Sequence, residues 1–519
     1  MSTVVPRKKL PIGIQTFREI REENFYYVDK TPHALRLIGE GKYYFLSRPR
    51  RFGKSLFIDT LAELFAGSEA LFRGLYCHDR WDWSVKYPVI RISFAEGVLK
   101  DGDALGRRIE DILRINEERL DVPVRAGLDS AGRFGELIRQ AEHKFGQRVV
   151  ILVDEYDKPI LDNLARPDLA RQMRDGLRDL YSVIKGQDAH IKFAMLTGVS
   201  KFSKVSLFSG LNNLFDITVS SAYSAICGYT DADVDTVFAP ELPGLDRELI
   251  REWYNGYNWT GESVYNPFDL LLLMREREFR PYWFETGTPT FLVDMLTERR
   301  VRLPDLERLE APESLLSAFE VGDISTEALM FQTGYLTIDS VRRIGAFAQY
   351  RLRYPNLEVR ASLSGAMLQR LRPNPAEYGA QSTKLYDLLL TNDFAGMERL
   401  FTSFFASIPH DWFRNNPIAQ YEGYYASVFY AYFASLGLDI VPEEASNAGR
   451  LDMAVRFNGQ VYLFEFKVVE LEPEGAALEQ IKGRGYADKY RDRNEPIHLI
   501  GVEFSREQRK VVGFAVEAG

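Results

Sequence analysis

The sequence has little cysteine, no long apolar run and no excess of positive charge. Its 519 residues include two cysteines, Cys77 and Cys227, which cannot form a disulfide framework and match no metal-ligand spacing. This scarcity is typical of a reducing compartment, so we expect a cytoplasmic protein. The net charge of −9 repels nucleic-acid phosphates, and any such partner would have to be bound by local basic patches.

Segments that could enter a membrane are also missing. The apolar stretch after Lys9 ends before Gln15, and the longest later run, Phe268 to Met274, contains Asp269. We expect neither a signal peptide nor a membrane partner. The hydrophobic content of 45% and the chain length instead predict a globular protein with two to four domains, at about 150 residues per domain.

The first stretch that carries chemistry is Tyr43 to Phe57, which predicts a strand, a basic loop and a helix. Gly53-Lys54-Ser55 matches the end of G-x-x-x-x-G-K-S/T, whose backbone N–H groups wrap phosphates, whose Lys reaches the β/γ-phosphates and whose hydroxyl binds Mg²⁺. Arg48 stands at the position of the first Gly, so a basic turn without a ligand is the alternative. The residues expected to bind ATP are Arg50, Arg51, Phe52, Gly53, Lys54, Ser55 and Leu56.

A second stretch completes a nucleotide site. Val149 to Val153 is a continuous apolar run, typical of a strand buried in a parallel sheet, and it ends in Asp154-Glu155. Asp154 would hold the Mg²⁺ shell, and Glu155 would polarise the attacking water. Thr197 follows the next predicted strand and would lie between the two strand ends, where it could orient water or sense the γ-phosphate. A threonine that merely ends a strand fits the pattern equally well.

Near the C-terminus, Asn458-Gly459 between alternating apolar residues predicts a two-residue β-hairpin. Counting back from this turn places Asp452 opposite Glu465, with Lys467 on the same sheet face. Facing carboxylates repel unless a cation separates them, and Mg²⁺ prefers such oxygens. Lys467 would then stabilise the developing charge on the attacking water or the phosphate. A solvent-facing polar stripe is the alternative.

Six stretches together resemble bacterial AAA-ATPase-like proteins with a C-terminal PD-(D/E)XK nuclease-like domain. They begin at Arg48, Asp154, Leu196, Trp253, Tyr282 and Phe331, and the resemblance covers nearly the whole chain. In that family an arginine-rich P-loop without the first Gly is usual, so Arg48 does not argue against ATP. The aromatic stretch from Trp253 to Trp259 is expected to be a packing cluster.

The resemblance also assigns residues around the hairpin. Asp452 with Glu465-Phe466-Lys467 corresponds to the PD-(D/E)XK motif, and Glu422, on a predicted helix, looks like the additional metal-binding acid. Gln480 resembles the helix Gln of such nucleases, while Tyr486 lies farther from it than the usual companion Tyr. A neighbouring basic strip suits phosphates, although a solvated helix face would look the same; its residues are Lys482, Arg484, Lys489, Arg491 and Arg493.

The expected fold is α/β with four segments. Residues 1–230 would form a P-loop ATPase domain with a parallel sheet, and residues 231–361 a helical, winged-helix-like domain with strands at 334–338 and 347–352. Residues 362–410 would be a helical connector, and residues 411–519 an α/β restriction-endonuclease-like domain.

The sequence therefore predicts an ATP-binding protein, an ATPase coupled to a Mg²⁺-dependent nuclease, with nucleotide state controlling the second site. Nucleic acid is the expected partner, DNA before RNA, and a homo-oligomer is also expected. In one alternative, the nuclease-like domain only binds nucleic acid. In another, the chain is a non-enzymatic switch that oligomerises with nucleotide.

Overall fold

The chain divides into two compact units, each built from two separate segments. The computed structural model describes residues 7–123, 125, 127–201, 207, 211, 213–287, 290–299, 301–313, 316, 324–370, 376–407, 422–446, 449–493, 495–508 and 510–519. Unit 1 comprises Met1–Gly287 and Glu310–Asn356, and unit 2 comprises Thr288–Leu309 and Leu357–Gly519. The finer division at residues 230, 361 and 410 stays a prediction.

Unit 1 is built on a parallel sheet of five strands in the order β2-β3-β4-β1-β5. The strands are β1 Tyr43–Ser47, β2 Val89–Ser93, β3 Val149–Asp154, β4 Ile191–Gly198 and β5 Phe215–Asp216. Strand β4 lies between β1 and β3 and pairs in parallel with both. The predicted parallel α/β sheet is confirmed, and its carboxyl ends bring Ser47, Asp154 and Gly198 to one edge.

Helices cover the sheet and continue into unit 2. In chain order they are α1 Phe17–Glu22, α2 Thr31–Glu40, α3 Lys54–Phe65, α4 Gly102–Leu120, α5 Ser130–Phe145, α6 Lys158–Leu161, α7 Pro167–Gly186, α8 Asp231–Val237, α9 Arg247–Tyr254, α10 Pro267–Glu276, α11 Tyr282–Gly287, α12 Thr290–Glu298, α13 Thr326–Thr333, α14 Leu357–Arg370, α15 Ala376–Thr391, α16 Phe394–Ser407, α17 Glu422–Ser435 and α18 Ala476–Arg484. Within the described ranges, no helix is both long and apolar enough to cross a bilayer.

Local sequence signals set several helix starts. Asp101 accepts a hydrogen bond from the Ala104 N–H at the start of α4, and Thr230 forms a capping box with Asp233 at the start of α8. Apolar side chains at helical spacing on α4, α5 and α7 join the buried residues of the sheet in one core. The strand that ends at Asp154 is therefore packed into this core.

A second, smaller sheet has the strand order β6-β8-β7. Its strands are β6 Leu309–Pro312, β7 Thr337–Ile344 and β8 Phe347–Arg353. The expected start of a strand at Gly334 is wrong. Gly334, with φ +93°, ends α13, and the Tyr335 and Leu336 N–H groups donate back to the Met330 carbonyl, so the strand starts only at Thr337.

Unit 2 contains a mixed sheet in the order β13-β12-β11-β10-β9, in which β11 and β12 are parallel. Its strands are β9 Asp439–Ser446, β10 Gly449–Phe457, β11 Gln460–Val469, β12 Ile497–Ser505 and β13 Val511–Ala518. Asn458 and Gly459 have φ of +50° and +70°, as a type I′ turn requires. Phe457 pairs with Gln460 and Met453 with Phe464, so the predicted register is confirmed.

Candidate functional site

The loop between β1 and α3 forms a concave backbone at the carboxyl edge of the unit 1 sheet. Arg51 and Gly53 have φ of +69° and +91°, and α3 begins at Lys54 directly after this turn. Because the first N–H groups of a helix have no intrahelical acceptor, this loop and helix N-terminus can hold an anion.

Arg48, which replaces the first Gly of the motif, lies in the core. Its guanidinium donates to the carbonyls of Ser47 at 2.9 Å, Thr218 at 2.8 Å and Tyr223 at 3.0 Å. It also stacks on Trp259, 3.9 Å from the ring centroid. Burial lowers the pKa of Arg48 to about 10. Because the side chain points into the core, a residue larger than Gly is accommodated at this position without filling the phosphate loop.

The aromatic stretch before Trp259 packs under the same loop. The ring of Phe52 lies 4.7 Å from that of Tyr257 and 5.6 Å from that of Trp259. The Trp283 indole N–H donates to the Arg50 carbonyl at 3.2 Å. These contacts agree with the predicted packing cluster, and they hold the loop backbone from residues distant in sequence.

A cavity of about 580 Å³ opens beside the loop, within the size range of small-molecule sites. One wall consists of the predicted nucleotide-binding residues Arg50, Arg51, Phe52, Gly53, Lys54, Ser55 and Leu56, together with Glu155. The other walls include Pro11, Tyr26, Tyr229 and Phe268, which no sequence motif identified. The volume and the helix N-terminus fit a nucleotide with its phosphates.

Lys54 is the buried cation of this site. Its Nζ donates to the carbonyls of Arg48 and Pro49, both at 2.9 Å. Burial lowers the pKa of Lys54, and the nearby carboxylate of Asp154 opposes this shift. The ammonium is therefore held beneath its own loop, close to the cavity that its residue lines.

The end of β3 places two acids differently. Glu155, with φ +52°, lines the cavity, and burial and the neighbouring Asp154 raise its pKa. Asp154 accepts a hydrogen bond from the Thr197 hydroxyl at 2.8 Å, and Thr197 is fully buried. Among the described residues, Asp154 and Thr197 are outside the cavity lining. In this arrangement Thr197 orients Asp154.

Asp157 is a third acid of this site, and the sequence analysis assigned it no function. Its carboxylate accepts the Val199 N–H at 3.1 Å, the Ser200 N–H at 2.6 Å and the Ser200 hydroxyl at 2.5 Å. It lines the cavity although only 1% of it is exposed. The carboxylate thus joins the turn after β3 to the turn after β4. The sequence signal was the third acid in Asp154-Glu155-Tyr156-Asp157.

The second site lies on the hairpin of unit 2, where Asp452 and Glu465 stand one residue beyond the ladder pair of Met453 with Phe464. The Phe466 N–H donates to the Asp452 carboxylate at 2.8 Å, and the Asp452 N–H lies 3.4 Å from Glu465 Oε2. Burial raises the pKa of Asp452. The pKa of Glu465 is raised to about 7, mainly by burial and also by repulsion from the Asp452 carboxylate. The two acids therefore favour a cation between them.

Lys467, Glu422 and Gln480 converge on the same acids. Lys467 Nζ lies 3.3 Å from Glu422 Oε2 and 3.7 Å from Glu465 Oε1. Burial opposes the charge of Lys467, but the carboxylates of Glu422 and Glu465 outweigh it and raise its pKa. The Gln480 amide on α18 donates to Glu465 Oε1. The structure thus brings together every hairpin residue that the resemblance assigned.

Mg²⁺ commonly takes one or two protein carboxylates and keeps several waters. Asp452, which is half-buried, and Glu465, which is buried, repel each other and fit such an ion. Glu422 is paired with Lys467, and in the part of the chain that the structure describes no three His, Cys, Asp or Glu residues gather as a ligand set. A metal role for Glu422 remains a prediction.

Glu503 on β12 supports this site and was missed by sequence reasoning. Its carboxylate accepts the N–H groups of Glu474 at 2.6 Å, Gly475 at 3.0 Å and Ala477 at 3.2 Å. These bonds fix the start of α18, the helix that carries Gln480. The available signal was a single acid inside the apolar run of residues 497–505.

The basic strip beside α18 is partly neutralised. Lys482 lies 3.3 Å from Glu479 and 3.1 Å from Glu517, and Arg491 lies 3.3 Å from Asp488. Arg484 and Lys489 also have interaction partners, and the Arg493 side chain lies outside the described part. The Tyr486 hydroxyl donates to the Arg450 carbonyl at 2.8 Å, away from Gln480.

Comparison with known proteins agrees with both predicted domain types. Residues 11–208 match a family model described as predicted AAA-ATPase, and residues 420–514 match one described as PD-(D/E)XK nuclease superfamily. The chain is 70% identical over 513 residues to an "uncharacterized protein in vnfD 5′ region" of Azotobacter chroococcum mcd 1, with 99% of each chain covered. The chain therefore belongs to the family of AAA-ATPase-like proteins that carry a C-terminal domain of the PD-(D/E)XK nuclease superfamily.

Proposed function

We propose that this protein binds and hydrolyses ATP in unit 1 and cleaves nucleic-acid phosphodiesters with Mg²⁺ in unit 2. The observation that carries the proposal is the convergence of Asp452, Lys467 and Gln480 on the buried carboxylate of Glu465. The cavity lined by Lys54, Ser55 and Glu155 supports the ATP-binding half of the proposal.

In the ATP site, the loop N–H groups and Lys54 would bind the phosphates, and Ser55 and Asp154 would hold Mg²⁺. Glu155 lines the cavity, where its carboxylate would orient and polarise the attacking water. Thr197 keeps Asp154 in one orientation through its 2.8 Å hydrogen bond. Arg50, Arg51, Phe52 and Leu56 shape the wall around the bound nucleotide.

In the nuclease site, Asp452 and Glu465 would hold Mg²⁺, which supplies a Lewis acid and a more acidic bound water. Gln480 fixes one oxygen of Glu465 by donating to it. Lys467, whose pKa is raised, stays protonated and would stabilise negative charge that develops at the scissile phosphate. If the Lys467 ammonium moves from Glu422 to the phosphate, the Glu422 carboxylate would become available as a third metal ligand.

A binding-only role for the nuclease-like domain is the second candidate function. It is favoured by the ion pair of Lys467 with Glu422, which engages the catalytic lysine. In that case unit 2 would recognise nucleic acid without cutting it. In both proposals DNA is the preferred partner, the protein is cytoplasmic and forms a homo-oligomer, and nucleotide binding in unit 1 controls the site in unit 2.

The direct test incubates purified full-length protein with single- and double-stranded DNA and RNA, with Mg²⁺ or Mn²⁺, and with or without ATP. Asp452→Ala should abolish cleavage, whereas Asp439→Asn, at the far end of the same sheet, should retain it. If the wild type binds but never cuts in any combination, the binding-only function replaces the nuclease.

The ATPase half has a separate test. Lys54→Ala should lose ATP binding because its ammonium is removed, whereas Glu155→Gln should bind ATP and lose hydrolysis because no carboxylate remains to polarise water. Binding is followed with a fluorescent nucleotide and hydrolysis by phosphate release. Near-normal turnover in both variants would eliminate the assignment.

A further inference from the structure

A small cavity of about 140 Å³ lies beside the hairpin acids of unit 2. Asp452 and Glu422 form part of its lining, and Arg302 and Glu443 form another part. Arg302 lies outside residues 420–514, the segment matched by the nuclease superfamily model. A residue far upstream in the chain thus reaches the edge of the nuclease-like site.

The segment that carries Arg302 is fixed to the nuclease-like fold by specific contacts. The Leu303 N–H donates to the Ser427 hydroxyl on α17 at 3.2 Å. The Tyr430 hydroxyl, also on α17, donates to Glu307, which lies 3.7 Å from the Arg360 guanidinium. These bonds on both sides of the short 3₁₀ segment Leu303–Arg308 set the position of Arg302.

The Arg302 guanidinium lines the cavity, and its contacts with the neighbouring acids are long. Its nitrogens lie 3.7 Å from Glu443 and 3.8 Å from Asp305, both longer than a hydrogen bond. Arg450 forms an ion pair with the other carboxylate oxygen of Glu443, at 2.5 Å. Gly423 provides the space, because a Cβ there would stand 2.9 Å from Arg302 Cζ.

We propose that Arg302 binds a backbone phosphate of the nucleic acid next to the scissile phosphodiester, with Glu443 as its resident counter-ion. The inference rests on the proposed nuclease function. A guanidinium matches two phosphate oxygens in its fork geometry, and its contacts with Glu443 and Asp305 are long enough to be exchanged for a better partner. Because Arg302 and Asp452 line the same cavity, Arg302 would seat one phosphate while the neighbouring phosphate reaches the acids.

Arg302→Gln tests this by steady-state cleavage of a labelled DNA duplex and of RNA of the same sequence. We expect KM to rise about tenfold with kcat within about twofold, because one phosphate contact is lost while the acids are untouched. The slope of log KM against log salt should fall by about one, as for one released counter-ion. Arg456→Gln is the matched control, since Arg456 pairs with Asp439 at 2.9 Å at the other end of β10.

The substitution Glu443→Gln should change KM in the opposite direction to Arg302→Gln. Removal of the competing carboxylate should lower KM severalfold, an outcome that misfolding cannot imitate. Arg302→Lys, which keeps the charge but not the fork, should lie between wild type and Arg302→Gln.

The outcomes separate the two proposals. Equal KM and equal salt slopes for Arg302→Gln and Arg456→Gln, with wild-type cleavage present, would overturn the phosphate subsite and leave the nuclease intact. If the wild type does not cleave, duplex binding measured by anisotropy in EDTA replaces KM, and equal affinities of the two variants again overturn the subsite. A wild type that neither binds nor cleaves removes the proposed function and the subsite together.

Discussion

Replacing Glu465 by Gln should change how the stability of the metal-free protein depends on pH. The folded protein raises the pKa of Glu465 from 4.5 to about 7, because the carboxyl is buried and faces Asp452. The fold thus holds this proton more tightly than the unfolded chain does, so protonation stabilises the fold. The stabilisation is complete below about pH 4.5 and is lost as the pH rises through about 7.

The size of the effect follows from the shift. At about 1.4 kcal/mol per pKa unit, the full shift corresponds to about 3 kcal/mol of unfolding free energy. Water at the open side of the site screens part of this, so we expect about 2 kcal/mol. For a unit of this size that is about 4 to 8 °C in Tm. Glu465→Gln stays neutral at every pH and should lack this loss.

The assay is calorimetric melting in EDTA at pH 5, 6, 7 and 8, with the transition of unit 2 identified by its shift in Glu465→Gln. The Tm difference, variant minus wild type, should grow from pH 5 to pH 8. Glu470→Gln, which alters an exposed acid just beyond β11, is the control and should follow the wild type. Mg²⁺ added at pH 8 should raise the wild-type Tm more than that of Glu465→Gln. Parallel profiles of wild type and Glu465→Gln would refute the reasoning.

Three further predictions follow from individual hydrogen bonds. Thr197→Val should reduce ATP turnover about tenfold while nucleotide binding is kept, because Asp154 loses its 2.8 Å orienting bond; unchanged phosphate release would contradict it. Glu503→Gln should lower cleavage about tenfold and weaken Mg²⁺ binding in titrations, because a neutral amide caps the helix of Gln480 less well; wild-type values would show that the cap is dispensable. Arg48→Met should cost about 3 kcal/mol in urea unfolding, because three carbonyls lose their donor; a loss below about 1 kcal/mol would argue against this.

Local rules explain why the hairpin and the sheet could be predicted. The Asn458-Gly459 turn fixes the register of its two strands, so counting along the chain predicted the pair of Met453 with Phe464 and placed Asp452 beside Glu465. The apolar run before Asp154 identified a buried parallel strand without any tertiary information. In both cases, residues adjacent in sequence determine the geometry.

The remaining features depend on long-range packing. Glu503 is recognised only when β12 lies beside β11 and its carboxylate reaches the start of α18. Arg302 lies 150 residues before Asp452 in the sequence, and no periodicity relates the two. The sequence around Gly334 predicted a strand, so the late start of β7 was missed. In the structure Gly334 has a positive φ and ends α13.

The assignment of residues 288–309 to unit 2, before the chain returns to unit 1 for residues 310–356, bears on fragment design. Leu303 and Leu306 are 2% and 1% exposed, so their removal would uncover apolar surface. An expression fragment that starts at residue 357 or 420 would therefore lack its own covering segment as well as Arg302. A soluble nuclease-like fragment would require the segment 288–309 to be joined to residue 357 by a designed linker, and cutting the gene at the family-match boundary would give an aggregation-prone piece.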